Sequence, residues 1–194
     1  MTNSTAEKQG GKRERLIASA AELVNRYGVE RPTLAEIAEE AGVPPGNVYY
    51  YFKTKDELIE AVVESRTAEV RGLLDSLDRR RTPAARLKGL AHNWVEAGDL
   101  VAEQGCPLGT LSVDLNNHGD GLEREAAQLY SGLIDWAEGQ FREMGSREAR
   151  DNALTLLSGV QGAAVLSNAF RDPEIMVSQV RRLERWIDSL ASKG

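Results

Sequence analysis

The chain has 194 residues, of which 41% are hydrophobic and 28% are charged, and its formal net charge is −6 at pH 7. This length and composition fit a soluble globular protein with one large domain, or one domain with a small module packed on it. No apolar run approaches the roughly 18 residues of a membrane span, the N-terminal stretch lacks the apolar core of a secretory signal, and a single cysteine excludes an intrachain disulfide. We therefore expect a cytoplasmic protein with no membrane partner.

The charge is unevenly divided along the chain. Residues 1–55 carry eight Lys/Arg and seven Asp/Glu, whereas the remaining residues carry sixteen and twenty-three. A locally basic head on an acidic body can still approach a phosphate backbone, because the local potential at the contact matters more than the total charge. The overall acidity argues against a protein that coats nucleic acid without specificity.

The predicted elements begin with a helix that starts at Lys12 and ends before Gly28, a residue suited to a helix C-terminus. Its apolar residues recur at the spacing of one helix face, and they are Leu16, Ile17, Ala20, Leu23, Val24 and Tyr27. Thr33 and Glu36 match the capping box of a short second helix, which ends at Gly42.

A third short helix opens at Pro45 or Gly46, since proline is tolerated in a first turn, and Thr54 caps a long fourth helix. Helical patterns then continue over residues 84–103, 107–119, 120–144, 146–170 and 173–190. β-Branched runs are short, and no Asn-Gly or Asp-Gly turn separates two alternating segments. The sequence therefore predicts an all-α fold of about nine helices.

Residues 33–52 have the pattern of a helix, a tight turn and another helix. Val48 and Phe52 are four residues apart, so they share one face of the third helix and point into the protein. Asn47, Tyr50 and Tyr51 then point elsewhere, and a helix of this kind can present its N-terminal residues to base edges in a major groove. The alternative is a well-packed helix pair whose nearby lysines only face solvent, since short helix pairs are common.

The stretch TLAEIAEEAGVPPGNVYYYFKTKDELIEAV resembles the DNA-binding domain of the TetR family of transcriptional regulators, and the likeness covers residues 12–63. The matching positions are Thr33, Ile37, Ala38, Ala41, Gly42, Val43, Tyr49, Tyr51, Phe52, Lys55 and Leu58. The resemblance implies a three-helix helix-turn-helix domain at residues 12–55. It also implies a larger helical domain at residues 56–194 that binds an effector and dimerises. A QacR/LmrA-like subgroup of the family is one candidate.

The resemblance further implies which residues face double-stranded operator DNA, namely Lys12, Arg13, Thr33, Pro45, Gly46, Asn47, Tyr49, Tyr50 and Lys55. Lys12 and Arg13 would contact the backbone or the minor groove, and Lys55 can reach a phosphate together with the first amides of its helix. Two positions depart from the family pattern. Pro45 replaces a frequent Ser, Thr or Lys, which removes a donor, and Tyr51 stands where many members carry His.

The last two predicted helices carry apolar seams. Val160 and Ala163 lie beside Gly159 and Gly162, which are most easily explained if another backbone approaches closely there. The seam of the last helix has the spacing of a continuous stripe and consists of Met176, Val180, Leu183, Ile187 and Leu190. We expect both seams to pair with their symmetry mates in a homodimer, because two DNA half-sites require two heads. The alternative is that both seams serve only the core of one chain.

The larger domain is expected to hold an effector pocket among the fourth to eighth helices. The residues predicted to line it are Trp94, Cys106, Leu108, Leu111, Leu115, Leu133 and Trp136, and such a set indicates a small, partly apolar ligand. Cys106 lies at a helix break just before the sixth helix, where a helix N-terminus can favour the reactive thiolate. A cysteine of this kind can sense electrophiles or oxidants, and the alternative is a small buried apolar residue.

No sequence pattern for catalysis or metal binding is present. The two histidines, His92 and His118, are isolated, and no P-loop, dinucleotide fingerprint or nucleophile motif occurs. We therefore expect neither an enzyme nor a bound metal or cofactor.

The sequence and the resemblance together predict a ligand-responsive regulator. In the main hypothesis a repressor leaves a palindromic operator when its effector binds, and an activator is left open. One alternative is an electrophile-sensing or redox-sensing repressor that is switched through Cys106. Another is a helical enzyme or carrier with a vestigial DNA-binding head.

Overall fold

The computed structural model describes residues 3–118 and 123–191, and every regular element in these ranges is a helix. Ten helices follow one another: α1 (Asn3–Tyr27), α2 (Leu34–Glu40), α3 (Pro45–Tyr51), α4 (Lys55–Asp78), α5 (Pro83–Glu96), α6 (Gly98–Gln104), α7 (Pro107–His118), α8 (Glu123–Glu143), α9 (Ala149–Phe170) and α10 (Glu174–Ala191). The predicted all-α fold is confirmed. The predicted ends at residues 119 and 120 lie outside the described residues.

The element boundaries differ from the prediction in two places. The predicted helix 84–103 is divided at Ala97, whose φ of −92° and ψ of 10° leave the helical region, and Gly98 then opens α6. Glycine is among the weakest helix formers, which explains a break at this position. At the other end of the chain, α1 begins at Asn3 rather than at Lys12.

The local signals at α1 and α2 are confirmed. The Thr33 hydroxyl accepts a hydrogen bond from the Glu36 amide at 3.2 Å, and the Glu36 carboxylate accepts one from the Thr33 amide at 2.8 Å. These two bonds form the capping box and satisfy amides that a helix start leaves without partners. Gly28 and Gly42 follow α1 and α2 with φ of +84° and +60°, a conformation that favours glycine.

The chain folds as two compact units. The first contains the described residues up to Thr67 together with those between Thr110 and Ala126. In it, α2 packs on both α1 and α3. Its buried apolar side chains include Leu16, Val24, Ile37, Ala38, Val48, Phe52, Leu58, Ile59 and Val62.

The second unit contains the residues from Ala68 to Gly109 and the described residues from Ala127 onward. Helix α10 packs on α5 and α9, and α9 also packs on α6. The centre of its core is formed by Leu87, Leu90, Trp94, Leu133, Phe141, Leu156, Val160, Met176 and Ile187. The division between the units falls inside α4, after Thr67. The domain boundary predicted after residue 55 stays a prediction.

Helix α9 is long and apolar enough, by composition alone, to cross a membrane. Eight of its residues are buried against other helices of the protein, and Leu156 and Val160 are fully buried. A helix of this kind at the centre of a helical protein serves as its core, because burial against its neighbours removes the apolar surface from water.

Candidate nucleic-acid interface

Helix α3 is held against its unit by two side chains. Val48 is 0% exposed and Phe52 is 2% exposed, and they lie on the same face because they are four residues apart. The N-terminus of α3 has no side-chain cap, but the Asn47 amide donates to the Pro44 carbonyl at 2.8 Å. The predicted inward pair is therefore confirmed, and the remaining face of this two-turn helix is turned away from the core.

The outward face of α3 carries the predicted DNA-facing residues that belong to this helix. Pro45, Gly46 and Asn47 are exposed, and Tyr49 and Tyr50 are 54% and 68% exposed. The rings of Tyr50 and Tyr51 make an edge-to-face contact with their centroids 5.1 Å apart. Two tyrosines this exposed offer hydroxyl groups for phosphates and bases and apolar rings for thymine methyl groups.

The turn between α3 and α4 brings basic side chains next to this face. The Thr54 hydroxyl caps α4 by accepting from the Glu57 amide at 3.1 Å. The Lys53 ammonium donates to the Tyr49 carbonyl, and the Lys55 ammonium donates to the Glu30 carbonyl, each at 2.5 Å. Each ammonium has further donors for a phosphate. Lys53 was not among the predicted contacts, although its place in the basic turn of the sequence could have identified it.

Arg13 and Lys12 lie near the start of the described side chains of α1. Arg13 is exposed, and its guanidinium lies 5.3 Å from the centroid of the Phe52 ring, a cation–π contact. The structure thus places Arg13 beside Phe52 at the end of α3, and its contact with DNA stays a prediction. Lys12 is half-exposed.

The exposed residues of α2 have the opposite charge. Glu36, Glu39 and Glu40, together with Tyr27 and Arg31, line a cleft of 440 Å³. Hydrogen bonds from the Thr33 amide and hydroxyl hold the pKa of Glu36 below its ordinary value, so this carboxylate stays charged. A phosphate backbone would be repelled by this cleft. Thr33 itself is exposed at the start of α2.

The residues predicted to bind an effector divide between the two units. Leu111 and Leu115 belong to the first unit and are 3% and 0% exposed. The other five belong to the second unit, where they are part of its core or pack against it: Trp94, Cys106, Leu108, Leu133 and Trp136. None of the seven lines the cleft beside α2, and none lines the groove between α9 and α10. Their role in effector binding stays a prediction.

Cys106 is surrounded by hydrogen-bonding groups that the sequence did not point to. Its sulfur accepts from the Trp94 indole and from the Gln161 amide group, both at 3.5 Å. Burial, with a smaller contribution from Cys106, raises the pKa of Tyr130 well above its ordinary value. A side-chain carbon on Gly109 would lie 3.0 Å from the Gln161 oxygen and 3.5 Å from the Tyr130 hydroxyl. We call Trp94, Cys106, Tyr130 and Gln161 the thiol cluster.

The six residues predicted to form the dimer contact are buried within the chain. All six are between 0% and 6% exposed, because they form the core between α9, α10 and α5: Val160, Ala163, Met176, Val180, Leu183 and Ile187. The prediction took the most regular apolar seam of each helix, and that seam faces inward. Their burial favours the alternative that both seams serve the core of one chain, and a role in dimerisation stays a prediction.

A second apolar face of α9 is exposed instead. Leu154 is 42% exposed, Leu166 51%, Val165 69% and Phe170 70%. Beside it runs an open groove of 560 Å³ between α9 and α10, lined in part by Gly162, Leu166, Ile175, Gln179 and Arg182. A side-chain carbon on Gly162 would meet no atom within 4 Å. An apolar face of this kind is typical of a surface that contacts another protein chain.

Among the described residues, no group of three or more His, Cys, Asp or Glu side chains is placed to hold a metal ion. His92 is exposed on α5, and the side chain of His118 lies outside the described part of the chain.

Comparison with known proteins yields matches in both units. Residues 16–62 match the family model of bacterial regulatory proteins of the tetR family. Residues 83–181 match the model of the C-terminal domain of LmrA/YxaF-like transcriptional regulators. The HTH-type transcriptional regulator LmrA of Bacillus subtilis is 28% identical over 166 residues, which cover 81% of this chain and 87% of that protein. An uncharacterized HTH-type transcriptional regulator in the lacX 3' region of Lactococcus lactis is 22% identical over 93% of this chain and 95% of that protein.

Two solved structures have the same fold. A TetR-family transcriptional regulator from Agrobacterium tumefaciens superposes with a TM-score of 0.80 at 19% identity, covering 90% of this chain and 96% of that chain. The regulatory protein TetR from Rhodobacter sphaeroides superposes with a TM-score of 0.76 at 23% identity, covering 89% and 96%. At these identities the similarity shows the fold alone.

Proposed function

Because this chain belongs to the TetR family of bacterial transcriptional regulators and carries an LmrA/YxaF-like C-terminal domain, we propose that it is a cytoplasmic repressor of transcription. Two protomers bind a palindromic operator, and a small, partly apolar effector in the C-terminal domain releases them. The observation that carries this proposal is the exposed face of α3, where Tyr49 and Tyr50 are more than half exposed.

DNA binding through this face is favoured by the way α3 is mounted. Val48 and Phe52 are buried, so the orientation of the helix does not depend on its partner. Lys53, Lys55 and the N-terminal amides of α4 lie in the adjoining turn and would hold phosphates on one side of the groove. The side chains of Asn47, Tyr49 and Tyr50 would then meet base edges.

Dimerisation is assigned to the exposed face of α9 rather than to the buried seams. In a two-fold symmetric dimer the same patch of each protomer is covered by its copy. Val165, Leu166 and Phe170 supply apolar side chains, and the groove beside Gly162 supplies space for side chains of the partner. Covering this face removes apolar surface from water, which is the main favourable term in association.

The effector is assigned to the second unit, near the thiol cluster. Trp94 and Leu133 belong to the apolar core of this unit and Trp136 packs against it, whereas Gln161 and Tyr130 supply polar groups that can orient a ligand. An effector that binds the DNA-free conformation more tightly would weaken operator binding by its differential affinity for the two states. Since Cys106 is only 7% exposed, a reversible ligand has more support than oxidation of the thiol. The family assignment gives no reason to expect an enzyme.

The test is fluorescence anisotropy of the protein with labelled DNA from upstream of its own gene, against a scrambled duplex of equal length. We expect tighter binding to the upstream duplex, two protomers per site, and weaker binding as salt rises. Tyr50→Ala should abolish the preference, whereas Tyr27→Ala, which alters another exposed tyrosine of the same unit, should preserve it. Equal affinity of the native protein for both duplexes would contradict the proposal for this DNA.

A further inference from the structure

Tyr50 and Tyr51 are the last two residues of α3, and their rings lie against each other. The ring centroids are 5.1 Å apart and the ring planes meet at 84°, the edge-to-face arrangement that aromatic pairs prefer. Neighbouring residues of a helix usually point about 100° apart and do not face each other. The contact therefore does not follow from adjacency in the sequence, and it restricts the directions that the two rings can take.

The two rings differ in exposure. Tyr50 is 68% exposed, whereas Tyr51 is half-buried. Burying a side chain reduces the number of rotamers that it can adopt, so Tyr51 has less freedom than its neighbour. Tyr51 is thus the more fixed member of the pair, and Tyr50 is the member whose direction the contact restricts.

Tyr49 provides a comparison on the same short helix. It is 54% exposed, and among the aromatic rings that the structure describes, none lies against it. Of the two exposed tyrosines on the outward face of α3, it is therefore Tyr50 that is held by a ring contact.

Restriction of the Tyr50 ring favours recognition of bases. An exposed tyrosine samples several rotamers, and binding to DNA confines it to one at a cost in conformational entropy. The contact with Tyr51 removes part of this cost before DNA is bound. Tyr51 departs from the family pattern and is not among the predicted DNA-facing residues. A role that it exerts through its neighbour accounts for an aromatic ring at this position.

We propose that Tyr51 is a positioning residue that orients the Tyr50 ring for base recognition, and that it thereby increases the preference of this protein for its operator over other DNA. The inference rests on the proposed function for its effect on DNA. The orientation of the Tyr50 ring can be measured in the protein alone.

The first test measures the preference for the upstream duplex over the scrambled duplex by fluorescence anisotropy. Tyr51→Leu removes the ring and should lower this preference about five-fold, the factor that corresponds to one edge-to-face aromatic pair. Affinity for the scrambled duplex should stay native, because Tyr50 has no matching base to contact there. Tyr51→Phe keeps the ring without its hydroxyl group, and it should preserve the preference.

Combining Tyr51→Leu with Tyr50→Ala tests whether Tyr51 acts through its neighbour. Tyr50→Ala alone should bind both duplexes alike, and adding Tyr51→Leu should then change neither affinity. A further loss of affinity for the upstream duplex in the double variant would show that Tyr51 contacts DNA itself, and it would overturn the proposal.

Two results for the single variants would also overturn it. One is a native preference in Tyr51→Leu. The other is equal impairment of Tyr51→Phe and Tyr51→Leu, because the hydroxyl group rather than the ring would then be responsible. Helix content measured by circular dichroism at the same temperature identifies the variants that fold. If Tyr51→Leu loses helix content, Tyr51→Met takes its place, since its side chain is also apolar and has no ring.

The second test follows the side-chain rotamers by NMR in the protein without DNA. Three-bond couplings to the β-protons report how the χ1 rotamers of a tyrosine are populated. We expect one dominant rotamer for Tyr50 in the native protein and in Tyr51→Phe, and an average over several rotamers in Tyr51→Leu. The couplings of Tyr49 are the control and should be the same in all three proteins. Averaged Tyr50 couplings in the native protein, or unchanged couplings in Tyr51→Leu, would overturn the proposal.

The two tests fail in distinguishable ways. Equal affinity of the native protein for both duplexes would count against the proposed function, and the role of Tyr51 in recognition would fall with it. The couplings would then decide only whether Tyr51 orients Tyr50. A native preference for the upstream duplex, together with averaged Tyr50 couplings, would leave the function standing and remove Tyr51 as a positioning residue.

Discussion

Thr33 combines two roles at the scale of a single residue, as the N-cap of α2 and as a predicted DNA contact. Replacing it by Ala should lower the free energy of unfolding by about 1 kcal/mol through loss of the cap, whereas Thr33→Ser should preserve stability. Urea titration of the three proteins measures the difference. Equal stability of Thr33→Ala and the native protein would show that the cap contributes nothing.

The capping box also predicts a pH dependence. The pKa of Glu36 is lowered in the folded protein by its hydrogen bonds to Thr33. Its stabilising contribution is therefore present above its ordinary pKa of 4.5 and is lost as pH falls through the lowered pKa of the folded protein. The stability difference between the native protein and Glu36→Gln should therefore shrink below pH 4.5. A difference that stays constant across this range would contradict the assignment.

The single thiol provides a test of the redox alternative. Cys106 is 7% exposed, and its sulfur accepts from Trp94 and Gln161. Because access controls the reaction of a thiol as much as its charge does, we expect Ellman's reagent to react slowly with the native protein and fully in urea. Rapid reaction of the native protein would restore the hypothesis of a thiol switch.

Local features were predictable at the residue scale, and long-range ones were not. The glycine stops at Gly28 and Gly42 and the capping box at Thr33 depend on residues adjacent in sequence, and all three were predicted. The contacts of Asp114 with Val29 and of Gln161 with Cys106 join residues 85 and 55 positions apart. A lone Asp or Gln in a helical pattern looks like a solvated residue until the fold brings its partner near.

At the scale of elements, α9 is the helix whose proposed dimer contact differs most from the predicted one. We propose that the exposed face of α9 around Val165 forms the dimer contact. Val165→Glu would then place one charge from each protomer in the two-fold interface. We expect this variant to sediment as a monomer. Val113→Glu is the matched control, since Val113 is 60% exposed on α7, and it should sediment as the native protein does. A native mass for Val165→Glu would place the interface elsewhere.

The choice of the buried seams as dimer contacts has a physical cause. Helix α9 has apolar residues on two sides, and periodicity identifies such residues without telling which side meets the chain's own core. Helix α10 has one apolar seam, which packs inward on α5 and α9. Sequence patterns therefore identified the buried seams correctly as apolar surfaces but could not assign them to the core or to a partner.

For the whole molecule, the net charge of −6 makes DNA binding depend on a few local cations. If Lys12 contacts a phosphate, Lys12→Ala should reduce the slope of log affinity against log salt by about 1. Lys88→Ala removes a lysine of the second unit that pairs with Asp188 at 2.7 Å, and it should leave the slope unchanged. Anisotropy titrations at several salt concentrations measure both. An unchanged slope for Lys12→Ala would remove this residue from the interface.

The all-α class and the helix-turn-helix were accessible from sequence because each depends on spacing and on residues close together in the chain. The pairing of α10 with α5, of α9 with α6, and of α7 with the loop 28–32 depends on contacts between distant segments. The DNA-facing set came from the resemblance to the TetR family and stays a prediction, and the predicted effector residues come from two compact units.

The central claim is that two copies of this chain read two half-sites through α3. Hydroxyl-radical footprinting on DNA from upstream of its gene tests it most directly. We expect two protected stretches on one face of the duplex, with centres about 10 base pairs or a multiple of that apart, and loss of both stretches in Tyr50→Ala. Protection spread evenly along the DNA, or two stretches that persist in Tyr50→Ala, would contradict it.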